Sequence, residues 1–497
     1  MTSYYKKETN TIIIIFLFKI IILSLLPLTG DEAYFIKWGA NLAQGYYDHP
    51  PMVGWIIYLM SFISDSHIFF RIFPVITTFI VAWVIYKIAL LYNVRNSKAF
   101  YIALIFLASP VDLLLGLMTN DITLLLFSSL GTLTLLYALE KKEWFFNALF
   151  AGIFLGLAFL SKYFALFLMF SLLLFSLFIY KTKAIKVVLV VIIIVSLFIA
   201  QNLYFNYNSC WNNIMFNFFS RTEDNSYNFK TIIGYFGLIL YIVTPWGLYY
   251  LLKTTYSHTK LFKLLFYILG IGFLIFFIVS LKNKIGLHWF LLFTPYIFLL
   301  FSFVDERRLN KLFKYSAIFT FIHIAIFIAI LAIPTSLLKE HKKFSDIVMY
   351  TQPQEVCKEL DKLNDERIFT YSYSTASVLS HYCKKELTVL FSTSKYGRMD
   401  DKLLDVRTLS NKNITLFNKK PIKENQLKEV CKSYKIEKIE IADANFYKAT
   451  CNKFNFDSYK TNYLDIQNKK FYNIPDWLPI GECYFKDRYY NKGTDTK

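Results

Sequence analysis

The chain has 497 residues, of which 56% are hydrophobic, 19% aromatic and only 18% charged. An average soluble domain carries about 25% charged residues. Disorder is excluded, because such a composition buries more apolar surface than ordering the chain costs. A single soluble globule is excluded too, because the apolar residues occur in blocks about as long as a bilayer is thick. The composition predicts a polytopic membrane protein.

Eleven apolar blocks are long enough to cross a membrane as helices, which takes about 20 residues each. They are 12–28, 68–92, 99–118, 121–139, 144–161, 163–180, 185–205, 232–252, 261–281, 287–304 and 313–334. The predicted number of transmembrane helices is therefore about eleven, within a range of eleven to thirteen. The fourth to sixth blocks are closely spaced, so one of them is a candidate for a re-entrant or split helix. The first block is followed by Leu28-Thr-Gly-Asp-Glu rather than by a small-x-small cleavage site, which favours a retained helix over a signal peptide.

The loop charges predict the orientation. If the N-terminus is cytoplasmic, alternate loops carry 16 Lys and Arg residues and the opposite loops carry 6. The positive-inside rule then places the N-terminus in the cytoplasm and the C-terminal region outside. The net charge of +19 comes largely from these loop cations. We attribute it to membrane orientation and to attraction to anionic lipids rather than to a nucleic-acid-binding surface.

Two domains are predicted. Residues 1–334 form a transmembrane domain with a long outer loop at 29–67, and residues 335–497 form a soluble periplasmic α/β domain. Within the second domain, 387–392 and 436–442 have the pattern of strands, while 354–363 and 423–434 have that of helices.

All six cysteines fall on the predicted outer side: Cys210, Cys357, Cys383, Cys431, Cys451 and Cys483. An even number confined to exported segments favours disulfides. Zinc binding is the competing interpretation, although no two cysteines have C-x-x-C spacing. The sequence does not reveal the pairing.

Ionisable residues cluster in the outer loops. Singly, each has an ordinary explanation: a solvated loop end, a turn before a helix, or a lysine that extends its charge to the interface. Together they place carboxylates, histidines and lysines on one membrane face, where a phosphate headgroup could lie beside a polar acceptor. The cluster comprises Asp31, Glu32, Asp48, His49, Asp121, Lys162, Lys282, Lys284 and His288.

Several motifs resemble the bacterial branch of glycosyltransferase family 39. They are Asp-Glu-Ala-Tyr from Asp31, Gly-Tyr-x-Asp-His-Pro-Pro-x-x-x-Trp from Gly45, Asn120-Asp121, Leu160-Ser-Lys-Tyr163 and His288-Trp289, and they cover about residues 25–305. This branch has the GT-C fold and is related to protein O-mannosyltransferases and the lipid A aminoarabinose transferase. The resemblance implies an enzyme of the bacterial inner membrane that moves a sugar, with inversion, from a polyprenyl (undecaprenyl) phosphate donor to a periplasmic-side acceptor. The acceptor is predicted to be lipid A, lipopolysaccharide or another envelope glycan, with protein as the alternative.

The resemblance also implies roles for individual residues. Asp31 and Asp121 match the two acidic positions of the family, and Glu32 stands where many members keep a second acid, so these three are the predicted catalytic residues. Asp48 stands where the aminoarabinose transferase has a Glu suited to metal binding, which makes Asp48 and His288 candidate ligands of a divalent metal ion. No other cofactor is implied. The residues predicted to bind the donor phosphate are Lys162, His49, Lys284, Arg71 and His288.

Two other classes compete with an enzyme. A transporter or flippase of lipid-linked sugar needs ionisable residues at mid-membrane and paired interrupted helices, whereas Asp112 and Arg71 are the few ionisable residues that fall within spans. A receptor or scaffold would explain the C-terminal region but not the clustered carboxylates. The predicted partners are the sugar donor, a lipid or glycan acceptor and membrane lipids, with no nucleic acid.

Overall fold

The computed structural model describes residues 6–220, 227, 229–363, 367–392 and 399–490. Its N-terminal part is a bundle of helices that ends at Ala332. The bundle helices are Lys6–Leu25, Gly30–Ala40, Met52–Ser61, His67–Phe70, Ile72–Leu91, Asn96–Leu107, Pro110–Leu114, Asn120–Glu140, Trp144–Phe159, Ala165–Tyr180, Thr182–Tyr207, Asn212–Ile214, Phe229–Val243, Pro245–Leu252, Lys260–Ser280, Leu287–Phe290, Thr294–Leu299 and Glu306–Ala332.

Every predicted apolar block is largely helical, but the helices differ in length. Six helices in the described part of the chain are long and apolar enough to cross a membrane, and a seventh is counted if two helices bent by 82° form one span. The remaining predicted blocks are shorter apolar helices. The six are Lys6–Leu25, His67–Leu91, Asn120–Glu140, Thr182–Tyr207, Lys260–Ser280 and Glu306–Ala332, and the bent pair is Phe229–Val243 with Pro245–Leu252.

The helix breaks lie elsewhere than predicted. The three closely spaced blocks are continuous helices, whereas the third and eighth blocks are interrupted. Each break directly precedes a proline, Pro110 or Pro245. Proline lacks an N–H and disfavours the helical conformation of the residue before it, and Ser109 and Thr244 accordingly have non-helical backbone angles.

The loops separate between the two ends of the bundle as the sequence predicts. Arg95 Nη1 lies 2.9 Å from Glu306 Oε2, and Lys260 Nζ lies 2.9 Å from Glu140 Oε1, so loops predicted to share one face are in contact. We call this the cation-rich end, and we call the opposite end, where the C-terminal part packs, the site end. Which compartment each end faces stays a prediction.

A buried ion pair joins the first helix to the break after the third block. Lys19 Nζ lies 3.1 Å from Asp112 Oδ2 and donates a 2.7 Å hydrogen bond to the Asp112 carbonyl oxygen. Both side chains are buried. Charges in such surroundings are kept only when paired, so Lys19 accounts for the presence of Asp112 inside the bundle.

The C-terminal part contains a five-stranded sheet with the order β2-β1-β3-β5-β4. Its first three strands are parallel neighbours, and β5 pairs antiparallel with β3 and β4. The predicted helix at 423–434 ends at Val430 because β4 begins at the next residue. The strands are β1 (Ile368–Thr370), β2 (Leu387–Val389), β3 (Ile414–Asn418), β4 (Cys431–Ile441) and β5 (Ala444–Phe454). The helices are Phe344–Thr351, Pro353–Asp361, Tyr373–Cys383, Met399–Leu403, Glu424–Val430, Phe456–Tyr459, Asp465–Phe471 and Tyr484–Tyr489.

All six cysteines are paired, which confirms the disulfide prediction over zinc. The bonds are Cys210–Cys483, Cys357–Cys383 and Cys431–Cys451. The first of these joins the bundle to the C-terminal part.

A segment next to this disulfide, residues 475–483, lies along the end of helix Thr182–Tyr207, and we call it the strap. Trp211 Nε1 donates a 2.7 Å hydrogen bond to the Pro479 carbonyl oxygen, and Gly481 N donates one of 3.0 Å to the Tyr207 carbonyl oxygen. A Cβ at position 481 would lie 2.4 Å from Tyr207, so the approach requires glycine.

Candidate active site

A cavity of about 360 Å³ opens at the site end of the bundle. The structure brings most of the predicted site residues to its wall, although they come from distant parts of the sequence. The predicted residues that line it are Asp31, Asp48, His49, Asp121, Lys162 and His288. Further lining residues include Tyr34, Phe35, Asn120, Trp289 and Tyr373.

Asp31 lies in the first turn of helix Gly30–Ala40. The helix begins there because Thr29 and Glu32 form a capping box, in which each side chain accepts the backbone N–H of the other. A carboxylate in the first turn is stabilised by the helix dipole. The Asp31 side chain is exposed to the cavity, and the Tyr373 hydroxyl donates a 2.8 Å hydrogen bond to its Oδ1. The hydrogen bond from Tyr373 therefore orients the Asp31 carboxylate and leaves its second oxygen accessible from the cavity.

Lys162 and Asp121 form a buried ion pair at the cavity wall. Lys162 Nζ lies 2.7 Å from Asp121 Oδ1, and the side chains are only 7% and 9% exposed. Asp121 belongs to the first turn of helix Asn120–Glu140, and Lys162 to the turn that follows helix Trp144–Phe159. The ammonium group also lies 4.9 Å from the centre of the Phe164 ring. In such surroundings a charge acts on a bound anion more strongly than it would in water.

The Asp48–His49 turn forms another part of the wall, and it is fixed from outside the cavity. The ring of Tyr46 stacks on Trp38 with the centroids 4.0 Å apart. Asn213 Nδ2 donates a 2.6 Å hydrogen bond to the Tyr46 carbonyl oxygen, and Asn217 Nδ2 donates one of 3.0 Å to the Asp48 carbonyl oxygen. The loop at 208–217, which follows helix Thr182–Tyr207, thus positions this turn.

The divalent metal ion stays a prediction. Asp48 and His288 both line the cavity. No group of three or more His, Cys, Asp or Glu side chains in the described ranges is arranged to hold a metal, so a bound Mg²⁺ would need phosphate and water to complete its ligands, as is common at phosphate-transfer sites. We derive no step through a metal.

Glu32 and Arg71 are corrected from their predicted roles. Arg71 donates to both carboxylate oxygens of Glu32, at 2.9 and 2.7 Å, and to the carbonyl oxygens of Leu23, Leu26 and Pro27. These bonds use all five N–H groups of a guanidinium, and both side chains are 2% exposed. Neither residue lines the cavity. Their positions therefore do not support a catalytic acid at Glu32 or a phosphate ligand at Arg71. Arg71, just before helix Ile72–Leu91, instead binds helix Gly30–Ala40 through Glu32 and the end of helix Lys6–Leu25 through the three carbonyl oxygens.

Lys284 and His288 differ in position. His288 lines the cavity, whereas Lys284 is exposed in the preceding loop and is not part of the lining. The structure therefore does not bring Lys284 to the site.

Tyr373 is a site residue that the sequence analysis did not identify. It belongs to helix Tyr373–Cys383 of the C-terminal part. Its ring packs edge-on against Tyr34 with a centroid distance of 5.0 Å, and its hydroxyl reaches Asp31. No local motif marks it, because only tertiary packing brings it to the cavity.

Comparison with solved structures identifies the architecture. ArnT from Cupriavidus metallidurans in the apo state superposes with a TM-score of 0.59 at 12% identity, over 89% of this chain and 97% of that chain. The same protein bound to undecaprenyl phosphate gives a TM-score of 0.60 at 11% identity, over 90% and 98% of the two chains. The chain has the GT-C fold.

Sequence comparisons agree with this result. Residues 48–205 match the family model described as dolichyl-phosphate-mannose-protein mannosyltransferase. The lipid A galacturonosyltransferase RgtD of Rhizobium johnstonii is 30% identical over 141 residues, which are 28% of this chain. The match spans 30% of the length of that relative. The resemblance to glycosyltransferase family 39 is confirmed, and this GT-C chain is a multi-pass membrane protein.

Proposed function

We propose that this GT-C protein transfers a sugar from a polyprenyl-phosphate donor to an acceptor at the site end. The observation that carries the proposal is the convergence of Asp31, Asp121 and Lys162 on one cavity at the end of an apolar helix bundle. Support also comes from the names of the relatives, since ArnT has been captured with undecaprenyl phosphate and RgtD is named a lipid A glycosyltransferase.

In the proposed reaction, the bond between the anomeric carbon and the phosphate oxygen breaks while a bond to the acceptor oxygen forms on the opposite face. The acceptor proton goes to Asp31, whose Oδ2 is left open by the Tyr373 hydrogen bond to Oδ1. The lipid phosphate leaves with the electron pair, and Lys162 stabilises its charge. Asp121 holds Lys162 in place through the 2.7 Å contact. Positioning and charge stabilisation supply most of such a rate enhancement, because the phosphate is already a good leaving group.

We further propose that His49 and His288, which line the same cavity, contact the phosphate or the sugar. The domain arrangement that we propose is a catalytic transmembrane domain at 1–334 and an outer domain at 335–497. The 16-to-6 division of loop cations and three disulfides at the site end support a periplasmic site in a bacterial inner membrane.

The preferred acceptor is lipid A or another envelope glycan, because the curated relative acts on lipid A by name. A protein hydroxyl is the second candidate, favoured by the description of the family model.

The test is sugar transfer by the purified protein, followed by mass spectrometry. Synthetic undecaprenyl-phosphate sugars (galacturonic acid, mannose and 4-amino-arabinose) are offered with lipid A or with a Ser/Thr-rich peptide. Transfer to lipid A that is lost in Lys162→Gln supports the proposal, and transfer to the peptide assigns the second acceptor. Movement of the donor across liposomes without any transfer would replace the enzyme by a flippase.

A further inference from the structure

A second polar cavity, of about 520 Å³, lies at the cation-rich end of the bundle. It is far along the helices from the site end, and none of its residues takes part in the proposed transfer. The lining is mainly polar and includes Tyr92, Arg95, Lys98, Ser257, Thr259, Ser302 and Glu306.

Three helices begin at the rim of this cavity. They are Asn96–Leu107, whose N-cap is Arg95, Lys260–Ser280, whose N-cap is Thr259, and Glu306–Ala332. The first turn of a helix has N–H groups without intrahelical partners and carries about half a positive charge. Asp305 already caps helix Glu306–Ala332 by accepting from the Arg308 N–H, and Thr259 caps helix Lys260–Ser280 by accepting from the Phe262 N–H. Helix Asn96–Leu107 has no side-chain cap, so its first turn is the end whose positive potential best suits an anion.

The side-chain charges add to this potential. Arg95 and Glu306 neutralise each other at 2.9 Å, and the nearby Asp305 is paired with Arg308 at 2.9 Å. Lys98 is partly buried and forms no salt bridge within the described ranges, although Asp305 and Glu306 act on it electrostatically. The lining therefore has one more cation than anions.

Ser302 gives independent evidence for a ligand. The residue is only 6% exposed, and its Oγ is buried without a hydrogen-bond partner among the described residues. A buried hydroxyl without a partner costs about 1–3 kcal/mol, so such groups are usually satisfied by something. Ser302 lines the cavity, and rotation of its side chain would bring the hydroxyl to an oxygen-rich ligand there.

We propose that this cavity binds a phosphate group, and that the phosphate belongs to the headgroup of an anionic membrane lipid. The cavity lies where apolar helices end, which is the depth of lipid headgroups, and basic pockets between transmembrane helices bind such headgroups. Lys98 provides the charge, the uncapped first turn of helix Asn96–Leu107 provides N–H donors, and Ser302 Oγ donates to a phosphate oxygen. Free inorganic phosphate offers the same chemistry and is the alternative source.

The experiment measures lipid retention by the full-length protein in detergent, using native mass spectrometry and the thermal unfolding midpoint. Phosphatidylglycerol is compared with phosphatidylcholine, whose choline balances its phosphate charge, and with sodium phosphate alone. Lys98→Gln should weaken phosphatidylglycerol binding about tenfold or more, as expected for loss of a charge-assisted contact. Ser302→Ala should weaken binding about threefold to tenfold with little change in fold. Lys311→Gln, which removes an exposed cation at the same end, should bind like the wild type.

Each result decides the proposal. Preferential retention of phosphatidylglycerol that falls in Lys98→Gln and Ser302→Ala, but not in Lys311→Gln, supports the lipid site. Full stabilisation by sodium phosphate, with no preference between the two lipids, keeps the phosphate site but overturns its lipid source. Equal retention of both lipids by all variants overturns the site. If Lys98→Gln unfolds, the comparison of phosphatidylglycerol retention is made between Ser302→Ala and the wild type alone.

Discussion

The hydroxyl of Tyr373 donates a 2.8 Å hydrogen bond to Asp31 Oδ1 across a sequence separation of 342 residues. Asp31 belongs to the helix bundle, whereas Tyr373 belongs to the C-terminal part. The contact makes the C-terminal part a wall of the cavity and fixes which oxygen of Asp31 is open to an acceptor.

We expect Asp31→Asn to reduce sugar transfer about 10²–10⁴-fold at saturating donor, the usual contribution of a general base. The amide keeps the shape of the side chain but takes up no proton. The thermal unfolding midpoint should hardly change, because Asp31 is exposed. Asp65→Asn, an exposed carboxylate outside the cavity lining, is the matched control. Near-normal turnover by Asp31→Asn would exclude Asp31 as the base.

Tyr373→Phe should lower turnover about tenfold, because it removes one hydrogen bond to a charged group and keeps the ring contact with Tyr34. Combined with Asp31→Asn, it should add little further loss, since the two residues act as a unit. Tyr382→Phe on the same helix serves as the control, because Tyr382 does not line the cavity. Fully additive losses in the double variant would show that Tyr373 acts independently of Asp31.

Arg71→Met should lower the free energy of unfolding by about 3–5 kcal/mol, because it leaves the Glu32 carboxylate buried without its partner. The double variant Glu32→Gln/Arg71→Met should recover much of this loss. Denaturant unfolding in detergent measures both values. A stable Arg71→Met protein with a specific defect in donor binding would restore the predicted phosphate role.

His381 should make the contact between the two parts of the chain sensitive to acid. Burial lowers the pKa of His381 to about 4, and the charges of Lys384 and His67 act in the same direction, opposed by Asp65. In an unfolded chain this pKa is about 6.5, so the unfolded state takes up the proton first as the pH falls. The stabilising contribution is thus complete above about pH 6.5 and is lost between there and about pH 4.

The check is the thermal unfolding midpoint between pH 7 and pH 4.5 for the wild type and His381→Gln. The wild type should lose more stability on acidification than the variant. His341→Gln, at an exposed histidine of the same part, should follow the wild type. Parallel curves for all three proteins would exclude this source of acid sensitivity.

Local patterns in the sequence predicted the helices and most of the cavity residues. Apolar blocks fix helix positions, and the alternation of loops brings Asp31, Asp48, Asp121 and Lys162 to one end. The sequence could not distinguish residues that point into the cavity from those that pair inside the bundle. Glu32 follows Asp31 directly, yet one position of helix rotation turns it away from the cavity and towards Arg71.

Long-range contacts could not be predicted from the sequence either. Tyr373 lies in an ordinary helix, and nothing near it indicates that its hydroxyl reaches Asp31. The disulfide pairing likewise depends on the fold, since Cys210 and Cys483 are 273 residues apart. In the third and eighth blocks helix length was overestimated for a physical reason, because each apolar block continues through a proline break that ends the helix.

The strap lies near the C-terminus, so one wall of the site is fastened only late in synthesis. Residues 475–483 leave the ribosome after every residue that lines the cavity, and they hold the 208–217 loop through Cys210, Trp211 and the adjoining Tyr207. That loop in turn supports the Asp48–His49 turn through Asn213 and Asn217. A nascent chain released before the strap would contain all the cavity residues and still lack the fastening of one wall. A truncation that removes the strap therefore alters the site itself, although it leaves every cavity residue in place.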